Sequence, residues 1–431
     1  MELAGADRGP HNSNPSRGSF PRQLLGYFIT FGLGFFSQPP SLLAADKPVW
    51  AEPSPTACPN RASCEGKLPA DSSFFSPISR LHIDTTTFIG GTPNLDAATA
   101  GGDHRQSAHP NETTFTFDLR LTLDSSFTGK DLLRTRLRAG NTPALPFGSS
   151  AQIFRLDRPS DTNGDVSVDR LYYNVAIGNA MHVTAGPLVR NTGMLAFIPS
   201  AYSSGVLDFF QLAGASGTYN RAVGSGLGVQ FSHRLNNSTP LITVDLNTVA
   251  QNGFSDSQTG LLSRASGINT LGQLGVQGLN WGAAMAYRFG SEAALIRDPN
   301  FSPRAVGRGQ QSNSVALAAY WQPIENSWQP SITLGYGVNT TSNGSMPESQ
   351  SWMLGLQWDQ PLSRGHTAGI AIGQAPFTRH RDTQSWLAET FYRAQISDSI
   401  SVTTALFYTS SYRENQFNPT WGGLIQTNLR F

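Results

Sequence analysis

Lysine is nearly absent from this chain of 431 residues: it occurs only at Lys47, Lys67 and Lys130, and arginine supplies the other 27 of the 30 basic residues. Codon bias and a role for rigid guanidinium groups both explain this excess. Charge is sparse as well, since charged residues make up 14% of the chain and 29 acidic residues bring the net charge to +1. Without an extended basic field, nucleic-acid binding is not expected.

Cysteine is equally rare, with Cys58 and Cys64 as the only two. A single pair cannot hold together a disulfide-rich mini-protein, and no histidine lies near the two cysteines to complete a metal site. In an exported chain they would meet an oxidising compartment, so a local disulfide between them is expected. Disorder is excluded too, because aromatic residues reach 10% and β-branched residues are abundant.

Long hydrophobic runs are missing as well. The apolar stretch at residues 24–36 is shorter than the roughly 20 residues that a membrane-spanning helix needs, and nothing after it is longer. Arg17 and Arg22 precede this stretch, and small residues follow it at Ala44, Ala45 and Ala51. The order is typical of a secretory signal peptide, which we place at residues 1–44. A helical inner-membrane protein is therefore not expected, whereas a closed β-barrel is compatible with export.

After a Pro- and Ser-rich periplasmic leader at residues 45–79, polar and apolar residues alternate with a period of two through residues 80–431. In residues 113–124 every second side chain is apolar, at Phe115, Phe117, Leu119, Leu121 and Leu123. The intervening positions are polar or charged, so the segment has one apolar and one polar face. Such segments recur about sixteen times, near 80–90, 113–124, 132–140, 168–178, 180–190, 225–234, 240–250, 270–279, 281–290, 312–322, 329–340, 350–359, 366–375, 384–396, 399–409 and 422–431.

The lengths and ends of these segments indicate a membrane barrel. Most are about ten residues long, which suits a tilted strand that crosses a bilayer. Their connections alternate short and long, and aromatic residues bracket the apolar bands, as Trp281 and Phe289 do. A soluble β-sandwich would also show the alternation but has no reason to keep its long loops at one end. We therefore expect an all-β fold, a transmembrane antiparallel up-and-down β-barrel of about sixteen strands.

Motifs for catalysis or metal binding are missing from the sequence. None of the eight histidines forms a His-Glu-x-x-His pair, and neither a G-x-S-x-G elbow nor a P-loop occurs. Asp161, Asn163, Asp165 and Asp169 hint at a calcium loop, but Gly164 is misplaced for an EF-hand and Tyr172 stands where an EF-hand has glutamate. We expect no catalytic residue, no cofactor and no metal site. An outer-membrane hydrolase that assembles serine and histidine from separate strands stays open as an alternative.

Two segments resemble a known family. Residues 127–141, FTGKDLLRTRLRAGN, and residues 168–175, VDRLYYNV, closely resemble cyanobacterial outer-membrane porins of the OprB-like carbohydrate-selective family, some of them labelled iron-uptake porins. The likeness runs from about Leu81 to Phe431, and Phe431 resembles the C-terminal aromatic residue that outer-membrane proteins present as an assembly signal. Typical members carry an S-layer-homology domain before the barrel, and the leader is too short to hold one. The resemblance implies passive transport.

The polar faces of the strands supply the candidate functional residues. If the apolar faces meet lipid, eleven side chains point inward as pore-lining candidates: Asp118, Arg120, Asp124, Arg134, Arg136, Arg138, Arg170, Tyr172, Asn174, His182 and Arg190. In general porins the third external loop folds into the barrel. By resemblance, the third long loop of this chain, residues 191–224, would bring Asp208 and Arg221 to the constriction.

The expected function is an outer-membrane porin that passes small hydrophilic solutes by diffusion, including carbohydrates, inorganic ions and small iron species. Three arginines at every second position of residues 134–138 form a row of positive charge, which predicts a moderate preference for anions. Alternatively, the lumen charges form solvated pairs without selectivity, or the chain is a structural or plugged barrel with little conductance. The expected partners are outer-membrane lipid and the solutes. A homotrimer is a further possible assembly, because similar porins are commonly trimeric.

Overall fold

The computed structural model describes most of the chain from residue 78 onward. The described residues are 78–92, 113–143, 153–158, 160–234, 236, 240–253, 260–297, 304–324, 328–342, 348–378, 385–410 and 419–431. The expected signal peptide, the leader up to residue 77, Cys58 and Cys64 lie outside them. The disulfide and the domain boundaries therefore stay predictions.

Sixteen long strands form the wall. In chain order they are β1 (Ile78–Gly91), β2 (Thr114–Ser126), β3 (Asp131–Thr142), β4 (Ser167–Ile177), β5 (Met181–Arg190), β6 (Val223–His233), β7 (Leu241–Ala250), β8 (Ile268–Gln277), β9 (Trp281–Gly290), β10 (Ser312–Trp321), β11 (Ser331–Thr341), β12 (Ser349–Asp359), β13 (Thr367–Thr378), β14 (Trp386–Ser397), β15 (Ile400–Thr409) and β16 (Thr420–Arg430). Three two-residue strands lie in the connections, at Ser160–Asp161, Leu295–Ile296 and Arg304–Ala305.

The strands close into one antiparallel barrel. Each long strand pairs with its neighbours in sequence, and β1 also pairs with β16, where Asp84 lies opposite Arg430. The predicted fold and all sixteen strands are confirmed, including the least regular one, predicted at 270–279 and found two residues earlier as β8. The first strand likewise begins two residues before the predicted boundary, because Ile78 still pairs with Ser126 of β2.

The two faces of the wall differ in polarity. Along β7, Val244 and Leu246 are exposed on the outer face, whereas Asp245 and Asn247 are buried on the inner face. Apolar side chains are favoured on the outer face because the hydrocarbon core of a membrane cannot satisfy polar groups. The same alternation, repeated around the barrel, makes the exterior apolar and the lumen polar.

The connections are longer at one end of the barrel than at the other. The connections spanning residues 127–130, 178–180, 278–280 and 398–399 are short, and those spanning 92–113, 143–166, 191–222, 251–267 and 291–311 are long. Between β10 and β14 the connections at both ends span only seven to nine residues. The predicted alternation of short and long connections thus holds for most of the barrel and is lost in that arc.

The third long connection, residues 191–222, packs against the inner face of the wall, and we call it the inner loop. It contains a 3-10 turn, Asn191–Met194, and one short helix, α1 (Asp208–Gln211). Residues 153–158 of the second long connection lie alongside it through an antiparallel bridge between Leu156 and Leu207. In the described part of the chain, no helix is long and apolar enough to cross a membrane.

Candidate functional site in the barrel lumen

Strands β2, β3 and β4 bring many charged side chains together on their inner faces. The strand register sets like charges opposite one another, since Arg120 pairs with Arg138 and Arg136 with Arg170. Like charges in direct cross-strand contact destabilise a sheet unless acidic groups lie between them. We call this group the arginine wall, and its members are Arg120, Arg134, Arg136, Arg138 and Arg170.

Acidic side chains on β2 compensate part of the positive charge of the arginine wall. Asp124 accepts two hydrogen bonds from Arg134, both 2.7 Å long. Asp118 accepts two from Arg138, at 2.7 and 3.0 Å, and also lies 2.7 Å from Nη2 of Arg120. Paired bonds of this kind hold a guanidinium group in a fixed orientation. The predicted row of positive charge is therefore a row of ion pairs.

Asp169 is a third compensating residue, one that strand alternation does not predict. Tyr173, on the same strand, faces outward, and a regular pleat would turn Asp169 outward too. The register between β3 and β4 shifts next to Arg136, and this irregularity turns Asp169 inward. There it accepts hydrogen bonds from Arg136 and from Nη1 of Arg170. Five guanidinium groups of the wall thus share three carboxylates.

An apolar cluster anchors the inner loop to a different part of the lumen. The Tyr202 ring meets Phe391 of β14 edge to face, with 5.5 Å between ring centroids. Phe210 of α1 packs against the same tyrosine. Wall residues that face the lumen complete the cluster: Phe88, Met353, Ala371, Ala375, Leu387, Ala405, Phe407 and Leu424. Apolar side chains suit these inward positions because the loop removes them from water.

Hydrogen bonds fix the inner-loop backbone against the same strands. Glu389 of β14 accepts one from the Tyr202 hydroxyl and one from the Leu207 N–H, each 2.8 Å long. Thr333 of β11 accepts a bond of 2.9 Å from the Ala201 N–H. Burial, together with the charge of Glu389, raises the pKa of the Tyr202 hydroxyl well above its ordinary value, so the hydroxyl keeps the proton that it donates.

The wall beneath the inner loop is shaped for close contact. A Cβ atom added at Gly335 of β11 would lie 1.8 Å from the Ala213 carbonyl oxygen of the loop. Only glycine allows the two backbones to approach so closely. We call the inner faces of β7–β15 the covered wall, because their polar side chains are buried, among them Asp245, Gln273, Arg288, Ser314, Thr333, Gln357, Glu389 and Thr403.

Asp208 and Arg221, predicted at the constriction, both lie on the inner loop and bind each other. Nη1 of Arg221 donates to Asp208 at 2.6 Å, and Arg297 donates to the other carboxylate oxygen. Arg221 also binds Asp157, which belongs to the segment beside the loop. Burial raises the pKa of Asp157, but Arg221 and Arg158 outweigh it and leave that pKa below its ordinary value. The ion pairs therefore join the two loops.

The remaining candidates on β4 and β5 lie beside the arginine wall. Tyr172 packs against an apolar cluster that includes Val189 and Met194. Asn174 and His182 are partners, with 3.3 Å between the amide oxygen and Nδ1. These contacts orient the three side chains.

Arg190, the last residue of β5, interacts electrostatically with Arg170 of the arginine wall and with Arg221 of the inner loop. At the C-terminus, Phe431 is 73% exposed and exchanges two backbone hydrogen bonds with Ile83 of β1. Its role as an assembly signal stays a prediction.

Several charged residues of this site were not predicted from the sequence: Arg155, Asp157, Arg158, Asp169, Arg297, Glu389 and Arg393. Most lie in loops, where no periodicity exists to show which way a side chain points. Glu389 and Arg393 do alternate with outward residues of β14, and that pattern could have identified them as inward. In the described part of the chain, no group of three or more His, Cys, Asp or Glu residues could hold a metal ion.

The closed sixteen-strand barrel, with its apolar exterior and charged lumen, is that of an outer-membrane channel for small solutes. The family model described as "Carbohydrate-selective porin, OprB family" matches residues 87–431, so the chain belongs to that family. The family and the fold indicate a channel rather than an enzyme.

Two cyanobacterial relatives match most of the chain. An uncharacterized protein of Nostoc sp. (alr4550) is 24% identical over 394 residues, which cover 82% of this chain and 67% of that protein. An uncharacterized protein of Synechocystis sp. (sll0772) is 24% identical over 360 residues, covering 74% and 64%. The chain thus spans about two thirds of the length of the curated relatives it matches.

Solved porin structures share the fold at low sequence identity. OprB of Pseudomonas putida, in its high-pH structure, aligns with a TM-score of 0.55 and 10% identity over 82% of this chain and 94% of that chain. OmpT of Vibrio cholerae aligns with a TM-score of 0.54 and 9% identity over 84% and 99%. An anion-selective porin from Comamonas acidovorans aligns with a TM-score of 0.50 and 11% identity over 82% and 100%.

Proposed function

We propose that solutes cross the barrel between the arginine wall and the inner loop. The observation that carries this proposal is the unequal coverage of the lumen. On the covered wall, Asp245, Arg288 and Glu389 are at most 2% exposed. On the arginine wall, the side chains of Arg134 and Arg136 are 29% and 16% exposed. Water and solute therefore reach Arg134 and Arg136 of the arginine wall, whereas the loop excludes them from the opposite side.

We propose that the solutes include small carbohydrates. Guanidinium groups held by carboxylates present planar faces and fixed N–H donors, which suit the ring faces and hydroxyl groups of a sugar. The charge of the ion pairs keeps the path hydrated, so inorganic ions and small iron species would use the same route. The description of the family as carbohydrate-selective supports this assignment.

A moderate anion preference is part of the proposal. Five arginines and three aspartates leave a surplus of positive charge on the wall. Screening over about 8 Å at physiological salt limits how far that surplus acts in a hydrated pore. We therefore expect anions to be favoured without cations being excluded.

The contacts of the inner loop favour one competing function, a plugged barrel with little conductance. The apolar cluster fills part of the lumen with side chains that exclude water. The two functions differ in what purified protein does in a planar bilayer. Discrete current steps, with a reversal potential on the anion side in a KCl gradient, would support the channel. If the bilayer shows no current steps at a protein density at which a control porin produces them, the plugged barrel would be supported.

Liposome swelling tests the solute class directly. Vesicles that contain the protein should swell in isotonic glucose, and more slowly as the sugar is lengthened to a disaccharide and a trisaccharide, because the inner loop narrows the lumen. Swelling that does not depend on sugar size would contradict a path confined between the loop and the arginine wall.

We also propose a homotrimer in the outer membrane. One solved structure of OmpT from Vibrio cholerae is described as a trimer form, and the fold of this chain is similar to it. Chemical cross-linking in isolated membranes should give a product of three chains. A product limited to single chains, under conditions that cross-link a known trimeric porin, would contradict the proposal.

A further inference from the structure

One arginine at the junction of the inner loop and the wall has positive neighbours and unused donors. Arg190 interacts electrostatically with Arg170, Arg221 and Arg136, and also with Asp169. Among the residues that the structure describes, no carboxylate lies within 4.0 Å of its guanidinium group. Its Nε is buried without a hydrogen-bond partner. A guanidinium group in this state is costly to bury.

Arg170, beside it, is in a related state. The residue is only 5% exposed, and its Nη1 donates to the carboxylate of Asp169 at 2.9 Å. Its Nη2 is buried and has no hydrogen-bond partner. A buried donor that loses water without gaining another acceptor is destabilising. Two neighbouring guanidinium groups thus hold N–H donors that the chain itself does not use.

The charges around these two arginines do not balance. Arg136 and Arg170 pair with Asp169, and Arg190 interacts with it only at longer range, so three positive charges meet one negative charge in this corner of the lumen. Arg221 adds no free carboxylate, because both of its aspartate partners belong to the inner-loop ion pairs. The corner therefore carries a surplus of two positive charges.

We propose that the corner between Arg170 and Arg190 binds a small dianionic oxyanion, the chemistry that inorganic phosphate and a phosphorylated sugar share. Such a group carries two negative charges, which match the surplus, and several acceptor oxygens for the unused N–H donors. Asp169 lies at the edge of the site, where it orients Arg136 and Arg170. The inference rests on the proposed path, because the ligand reaches the corner through the lumen.

Equilibrium binding tests the site without relying on conduction. Isothermal titration of inorganic phosphate into the detergent-solubilised, folded protein at pH 8 should give saturable binding. R190Q should weaken that binding about tenfold, because a charge-assisted hydrogen bond is lost. R308Q is the matched control, since it makes the same change at an exposed arginine that is not among the groups interacting with Arg190, and it should leave the affinity unchanged. Equal affinity in R190Q and R308Q would overturn the site.

A second variant keeps the test decisive if R190Q misfolds. R170Q should weaken phosphate binding as well, and each variant is accepted only if unboiled protein still migrates as a folded barrel on SDS gels. If R190Q does not fold, R170Q decides the outcome alone. Unchanged phosphate affinity in folded R170Q would contradict the proposal.

Three ligands separate the sources of the oxyanion. Phosphate and glucose 6-phosphate should both bind, whereas glucose should not compete with either. Tighter binding of glucose 6-phosphate would identify a phosphorylated sugar as the ligand, and tighter binding of phosphate would identify the free anion. Saturable phosphate binding by a barrel that conducts no current would support the oxyanion site and contradict the proposed solute path. An anion-preferring channel that shows no saturable phosphate binding would overturn the site alone.

Discussion

The arginine wall and the covered wall face the same lumen, but their polar side chains are satisfied in different ways. The arginine wall compensates its charges with carboxylates, as in the pair of Arg134 and Asp124, and these two side chains keep contact with water. The covered wall instead satisfies its polar groups with the inner loop, as Glu389 does with Tyr202. The surface around Arg134 and Asp124 stays open, whereas the bonds to the inner loop close the covered wall. The position of the solute path follows from that difference.

The largest effect is expected from blocking the close contact between the inner loop and Gly335 of β11. In G335A, the added Cβ would collide with the Ala213 carbonyl oxygen, so the loop must move away from β11. A wider lumen should raise the single-channel conductance about twofold or more. G272A is the matched control, because the nearest atoms to its added Cβ are 3.8 Å away. The same conductance in both variants would show that the loop does not narrow the path.

The next largest effect should come from the charge of the arginine wall. Changing Arg134, Arg136 and Arg138 together to Gln leaves the wall with more carboxylates than guanidinium groups. The zero-current potential in a salt gradient should therefore move to the cation side. Asp118, buried and deprived of one partner, adds a stability cost of about 3–5 kcal/mol, so folding is checked first by migration on gels.

A charge-neutral pair of substitutions sharpens that test. D124N/R134Q removes one ion pair and leaves the net charge of the wall unchanged. The zero-current potential should stay at the wild-type value. A shift as large as that of the triple variant would mean that pore shape, rather than net charge, sets the selectivity.

A smaller effect is expected from loosening one bond of the covered wall. Y202F keeps the ring in the apolar cluster but removes one of the hydrogen-bond donors of Glu389, which costs about 0.5–1.5 kcal/mol. The loop should undock more often, and single-channel traces should show brief openings to a higher level. In Y408F, which removes a hydroxyl from the outer face, those openings should be absent. Identical traces would contradict the role of this bond.

The smallest effect is expected from the leader. Replacing Cys58 and Cys64 with Ser should leave the conductance unchanged, since both residues precede the first strand of the barrel. The measurement is the single-channel conductance of the double variant beside wild type. A large change would place the leader inside the lumen and add a third region to the comparison.

The barrel could be predicted because lipid constrains one face of every strand. Outward positions such as Val244 and Leu246 must be apolar whatever lies in the lumen, and the period of two follows. The signal is weakest in β8, where Gly272 interrupts the outward face and the inward Leu271 is apolar. Apolar residues on the inward face are explained by the inner loop that covers them, and the sequence pattern does not show that contact.

The lumen could be predicted only in part. Asp118, Arg120 and Arg138 follow strand alternation, and the structure brings them together. Asp169 was missed because a local shift of register, which has no signature in the sequence, turns it inward. Asp157 was missed because it lies in a loop whose path depends on contacts with other loops.

The order in which the channel matures follows from the bonds of the inner loop. The hydrogen bond between Tyr202 and Glu389 joins residues 187 positions apart, and the bond between Ala201 and Thr333 joins residues 132 apart. Each bond needs its wall strand in place, since Thr333 lies on β11 and Glu389 on β14, so the loop docks onto strands that are already paired. The strands that carry Thr333 and Glu389 are therefore paired before the passage is narrow. The size limit of the pore is set by a final docking step, and a barrel arrested before that step would leak solutes that the mature channel holds back.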